Sequence, residues 1–199
     1  MEESLQTLVH DMLYKQILFE YESIQLQEYY INNIAANIFS LKQFPNIEKY
    51  NHRGSSALGK EFFLKFSVLK FSLDRLLGND NYIGRFFATR PNSQGFIHID
   101  MAGGKPIPRY WSLNIPVLNC QDNYHEWFNI GVEPDFISTD FNSWFWTKDS
   151  NTELINKLEL KDPYMLKVSV PHRINNPTDQ VRVALAIRTI DNRETFDFL

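Results

Sequence analysis

At 199 residues, the chain is long enough to bury one core and short for two independent domains, so a single domain with an N-terminal extension is expected. Hydrophobic residues make up 43% and charged residues 22%, a balance that excludes a disordered chain, while an aromatic share of 15% points to a thick core or an aromatic-lined pocket. The formal net charge of −4 argues against a broad phosphate-binding surface, because non-specific nucleic-acid affinity comes from clustered Lys and Arg; no nucleic-acid partner is expected.

The first residues, Met1-Glu2-Glu3-Ser4, lack the positive and apolar regions of a secretion signal, and no apolar run approaches the ~20 residues of a membrane span. A soluble, cytoplasmic protein without a membrane partner is expected. Leu5, Leu8, Val9, Met12 and Leu13 fit a helical stripe, and Tyr29, Asn33, Ala36 and Ile38 sit in a second helical run. Between them, Tyr14 to Tyr21 reads as helix or strand. Pro45, Asn46, Asn51, Gly54, Ser55, Ser56 and Gly59 read as a loop across residues 45–60, and His52 within it reads as solvated. From Glu61 to Leu77 the apolar positions recur at helical spacing, stopped by Gly78 and Asn79 in the manner of a helix C-cap. Residues 1–78 thus form a mostly helical N-terminal part.

Strand signals dominate residues 80–190. Tyr82 to Thr89 is bounded by turn residues, Gly95 to Asp100 follows, and Met101 to Pro106 forms a turn. Tyr110 to Asn119 alternates, with Tyr110, Ser112 and Asn114 on one face and Trp111, Leu113 and Ile115 on the other. Pro116 should mark an edge, a bulge or the strand's end. Cys120 is the sole cysteine, which rules out an intrachain disulfide and suits a reducing compartment. Glu126 to Ile130 and Ser143 to Thr147 are short strands, and Thr152 to Leu160 suggests a short helix or turn. Tyr164 to Val170 is a strand whose hairpin partner is expected in Val181 to Thr189. Many short strands after a helical third indicate a mainly β fold with flanking helices, a β-sandwich or jelly roll.

His98 and Asp100, two apart on a strand, project to one face. Pro171-His172-Arg173 is the other place suited to a ligand. Two imidazoles and one carboxylate on one face of an octahedral ion leave three positions open, the arrangement of non-heme Fe(II) oxygenases. A fourth protein ligand would close such a site, so His125 is expected at the surface or beside a ligand. On the last strand Arg182, Ala184, Ala186 and Arg188 share a face, and the two alanines leave room for a dicarboxylate beside a guanidinium.

His98-Ile99-Asp100, then His172, then Arg182 ten residues on, resembles the Fe(II)- and 2-oxoglutarate-dependent oxygenase superfamily. Leu113 to Asn119 and Pro171 to Pro177 look closest to small oxygenases related to its aspartyl/asparaginyl hydroxylase branch. The resemblance covers roughly residues 80–190. It implies a double-stranded β-helix, a cupin-like jelly roll, with Fe(II) on His98, Asp100 and His172. It also implies 2-oxoglutarate as cosubstrate, its distal carboxylate on Arg182, and O₂ consumed in hydroxylation. Many members carry a hydroxyl two residues after this arginine; here the residue is Ala184, and Tyr110, Ser112 or Asn114 could replace the missing bond. Asn114 could contact the inner carboxylate or satisfy backbone near Pro116. The carboxylate at position 100 argues against a halogenase.

Arg85 and Arg90 could line the substrate side or lie along a sheet face. Trp111, Trp127, Trp144 and Trp146 read as core or pocket wall, and Cys120 lacks a nearby His partner for nucleophilic chemistry. The substrate is expected to be small or amino-acid-like, including a peptide side chain. The alternatives are a cupin-like metal-dependent hydrolase or isomerase, a small-acid-binding barrel without turnover, and a recognition module with an aromatic surface.

Overall fold

The computed structural model describes residues 13–39, 53–102, 108–138, 143–146 and 152–192, without the side chains of 136–138. The stripe over Leu5, Leu8, Val9 and Met12 and the candidate His52 lie outside these residues, as does most of the turn expected after Met101. No helix among the described residues is long and apolar enough to cross a membrane.

Alternating side chains build two antiparallel sheets. The six-stranded sheet runs in the order β1 (Tyr14–Gln16), β11 (Tyr164–Lys167), β6 (Trp111–Leu118), β13 (Arg182–Thr189), β3 (Tyr82–Thr89) and β2 (Arg53–Leu58). The second runs β10 (Thr152–Glu159), β7 (Tyr124–Ile130), β12 (His172–Asn176), β5 (Ile97–Asp100), β9 (Ser143–Trp146) and β8 (Phe136–Ser138), with β4 (Ser93–Gln94) also pairing β12. This interleaving of early and late strands is that of a jelly roll, the expected mainly β architecture with flanking helices.

Helices cover the outer face of the six-stranded sheet. α1 (Ser23–Asn33), α2 (Lys60–Lys65) and α3 (Ser67–Leu77) bring Leu26, Tyr30, Phe62, Phe63, Leu69 and Leu73 onto Phe86, Leu113, Ile115, Leu185 and Ile187 in one core cluster. Each such side chain, fully buried, is worth roughly 1.5–3 kcal/mol. The run expected as one helix from Glu61 to Leu77 is two, because Phe66 leaves helical geometry at φ −119°, ψ 85°. The Glu22 carboxylate then accepts from the Val68 and Leu69 amides at 2.9 and 3.0 Å, satisfying orphan donors of α3. Gly78 ends α3 at φ 91°, as the capping pattern predicts.

Three expectations fail in the structure. Residues 53–58, expected as loop, form β2, paired with β3 from Arg53↔Thr89 to Leu58↔Gly84. The small residues that suggested a loop serve a close crossing: a Cβ on Gly54 would lie 2.3 Å from the Ile38 carbonyl oxygen. Thr152 to Glu159, expected as helix or turn, is the edge strand β10, and a register shift between Leu154 and Asn156 breaks its alternation. Tyr164–Lys167 and Arg182–Thr189 are not a hairpin, since β6 lies between them and the chain crosses to the other sheet for β12. Pro116 sits in the predicted setting, beside a register shift between Val183 and Ala184.

Candidate metal centre and acid pocket

The two histidines of the motif meet across a strand pair. His172 on β12 stands directly opposite His98 on β5, and Asp100, two residues on, shares the inner face. All three are at most 4% exposed, and one ligand atom from each lies within 4.8 Å of the others. His98 Nδ1 lies 2.9 Å from the Phe96 carbonyl oxygen and His172 Nδ1 2.9 Å from that of Val170. A carbonyl only accepts, so both Nδ1 atoms carry the proton and each Nε2 presents its lone pair inward, that of His98 within 3.5 Å of Arg53 Nη1.

Charge state agrees with that tautomer. Burial pushes His98 well below the ordinary imidazole range, with His172 adding to the effect, and burial lowers His172 as well. Burial alone would raise Asp100, but the Arg188 guanidinium, followed by the two imidazoles, outweighs it and holds the carboxylate ionised. Arg188 Nη2 donates to Asp100 Oδ2 at 2.5 Å, and Ser143 Oγ donates to Oδ1 at 3.3 Å. Two neutral imidazoles and one oriented carboxylate are a donor set that fits a divalent transition metal with open positions.

The triad opens into a small cavity that it shares with Phe87, Thr89 and Val168. The facing wall is the inner side of the six-stranded sheet. Arg182 is 2% exposed, and its Nε and Nη2 have no hydrogen-bond partner among the described residues. Ala186 and Arg188 line the same wall. Ser112 and Asn114 line it too, with Asn114 Nδ2 donating to Ser112 Oγ at 3.2 Å. Tyr110 is not among the lining residues. It precedes β6, and its carbonyl accepts from the Val168 amide, so the role considered for its side chain has no support in this arrangement.

Sequence reasoning passed over several lining groups. Arg53 enters from β2, its guanidinium 3.8 Å from the Phe87 ring centroid and its Nη1 3.5 Å from His98 Nε2. Pairing of Arg53 with Thr89 and of Thr89 with Arg182 sets the three in one row across the sheet. Burial, opposed by Asp100 and reinforced by Arg188 and Arg182, lowers Arg53 to about 10, so it stays cationic at neutral pH. No local pattern marks Arg53; its place follows from register. His125 takes the second of its two expected places, beside a ligand. It is 2% exposed, stacked on the His172 ring at 4.7 Å and 12°, and neither ring nitrogen has a partner.

Arg85 is exposed and donates to Ser55 Oγ, and the Arg90 guanidinium lies 4.3 Å from the Phe39 ring centroid. Trp127 and Trp146 are buried, Trp111 and Trp144 partly so. Cys120 is buried, its thiol donating to the carbonyls of Val183 and Leu118.

No protein-family model matches the chain, and no curated protein matches it in sequence. Similar solved structures include an oxalate decarboxylase of Bacillus subtilis, at 11% identity and TM-score 0.36, covering 70% of this chain and 26% of that one. A cupin-2 domain from Rhodospirillum rubrum superposes at 8% identity and TM-score 0.35, covering 74% of this chain and 66% of its own. A sugar phosphate isomerase of the cupin superfamily from Silicibacter pomeroyi gives 10% and 0.33, covering 71% and 61%. The chain spans only about a quarter of the decarboxylase. Likeness this distant carries no inference about activity; the jelly-roll assignment rests on the strand order described above.

Proposed function

We propose that this jelly roll binds a divalent metal ion on His98, Asp100 and His172 and a small organic acid on Arg182, and that its chemistry is that of an Fe(II)/2-oxoglutarate-dependent dioxygenase. The observation that carries the reading is the pairing of the two walls. A metal donor set with its lone pairs aimed inward faces a buried guanidinium with free N–H groups. With iron, 2-oxoglutarate and O₂ bound, such a site would supply oxidative decarboxylation coupled to hydroxylation of a C–H bond. The protein's own part is positional. Arg188 and Ser143 orient Asp100, the Phe96 and Val170 carbonyls orient the imidazoles, and Arg182 fixes the acid through a charge-assisted pair. Phe87 in the cavity wall restricts water.

A second reading keeps metal and acid but drops the cosubstrate: a cupin-like metal-dependent non-oxygenase, or a small-acid-binding protein. It is favoured by the sparse holding of a keto acid, since Tyr110 does not line the cavity and Ala184 brings no hydroxyl. The two separate spectroscopically. Under anaerobic conditions, Fe(II) plus 2-oxoglutarate should give a weak charge-transfer band in the visible with wild type and none with His172→Ala. Bound iron without that band would leave the second reading standing. Arg182→Ala should weaken 2-oxoglutarate binding by about tenfold or more with iron binding retained; equal loss of both would make Arg182 a support of the fold.

A further inference from the structure

We infer that the substrate carries a carboxylate of its own, which docks on Arg53 at a site separate from Arg182. The inference rests on the reading above, in which Arg182 takes the acid of 2-oxoglutarate.

The cavity is lined by three guanidinium groups, Arg53, Arg182 and Arg188, against one carboxylate, Asp100. Counting guanidinium and carboxylate groups alone, it holds an excess of two positive charges. A divalent ion adds as much positive charge as 2-oxoglutarate removes, and the excess persists when both are bound. Asp100 answers Arg188, and the cosubstrate answers Arg182. Arg53 is left without a carboxylate in salt-bridge contact among the described residues. Arg53 is partly buried; a partly desolvated charge without a counter-charge carries a cost, and an acidic substrate removes that cost where a neutral one leaves it.

Position supports the same conclusion. Phe87 underlies the guanidinium, and a guanidinium carries five N–H donors, so those beyond the one at His98 Nε2 suit a planar acid. His98 Nε2, the metal-facing nitrogen, is 3.5 Å from Arg53 Nη1, so an acid held there keeps the attached carbon chain beside the metal. Arg85 shares a strand face with Phe87 and Thr89 and is exposed; it extends the positive field outward, where it speeds the arrival of anions. The modest cavity suits a small acid or an acidic side chain.

The test uses protein loaded with Mn(II) and excess 2-oxoglutarate, titrated calorimetrically with N-acetyl-L-aspartate, N-acetyl-L-alanine and 3-hydroxybutyrate, each against its uncharged amide. Acids should bind, with amides about tenfold or more weaker. Arg53→Gln should weaken the acids by about tenfold to a hundredfold while 2-oxoglutarate affinity stays within about threefold. Arg53→Lys, which keeps the charge, should recover part of the loss and carries the test if the glutamine variant does not fold. The inference is overturned if no acid binds better than its amide, or if Arg53→Gln weakens 2-oxoglutarate as much as Arg182→Gln does. Failure of the loaded protein to hold 2-oxoglutarate sinks the cosubstrate reading alone. The same acids are then titrated into the Mn(II) protein, and binding that depends on Arg182 but not on Arg53 overturns the inference.

Discussion

The two faces of the six-stranded sheet come from the same strands and do opposite things. On β13, Val183, Leu185 and Ile187 are at most 1% exposed and pack under the helices, while Arg182, Ala186 and Arg188 line the cavity. On β6, Leu113 and Ile115 face the helices, and Ser112 and Asn114 face the ligand side. The outer face supplies burial of apolar surface. The inner face holds buried cations with unsatisfied N–H groups, which oppose folding until a ligand meets them. A period of two along each strand is enough to separate stability from chemistry, and variants on either side should report on one property with little change in the other.

The strongest challenge to that separation is Phe86→Ala on the outer face. Phe86 is fully buried, with ring centroids of Tyr30 and Phe62 each 5.6 Å away and Tyr29 at 6.5 Å. Truncation removes a large side chain from a close-packed cluster and should cost about 3–5 kcal/mol in urea unfolding. Mn(II) affinity of the folded protein should be unchanged. A parallel loss of metal affinity would mean that the faces are mechanically coupled through β3 and β13.

Arg182→Met should act in the opposite direction. Replacing a buried guanidinium that lacks partners at Nε and Nη2 with an apolar chain of similar length removes a desolvation penalty. Unfolding of the ligand-free variant should require about 1–2 kcal/mol more than wild type, and acid binding should vanish. Excess 2-oxoglutarate should narrow the gap by stabilising wild type alone. Destabilisation by Arg182→Met would show that the guanidinium supports the fold.

How much was legible in the sequence follows the same division. The triad could be read because His98, Asp100 and His172 are sparse residue types in a fixed order on strand-like segments. β3 could be read to the residue because turn residues bound it on both sides. The inner wall was harder. Arg182 and its two alanines gave a local pattern, but Arg53 sits in small polar residues that resemble a loop, and only pairing with β3 brings it to the site. Tyr110 shows the converse: alternation groups it with Ser112 and Asn114, but it precedes β6 and is not among the lining residues. β10 was misread because a bulge interrupts its alternation, and the wrong hairpin arose because sequence neighbours need not share a sheet in a jelly roll. His125, expected at the surface or beside a ligand, stacks flat on His172, which bears out the second place.

The smallest expected effect concerns the polar seam joining α3 to β3 on the outer side. Asp74 accepts from Lys70 Nζ at 2.7 Å, from the Tyr82 hydroxyl at 3.0 Å and from the Asp80 amide at 3.4 Å. Partial burial would raise its pKa, but the Lys70 and Tyr82 hydrogen bonds outweigh that and hold it below the usual carboxylate value. A depressed folded-state pKa means that the unfolded chain binds its proton first as pH falls. The stabilisation is therefore complete above the unfolded value near ~4 and lost as pH drops through the folded one. Asp74→Asn should cost at most about 1 kcal/mol at pH 7, because the group is partly solvated, and the difference from wild type should close below about pH 4. Urea titrations of both proteins across that range, in the absence of metal, measure it. A difference that persists at low pH would assign the effect to the geometry of the amide and not to charge.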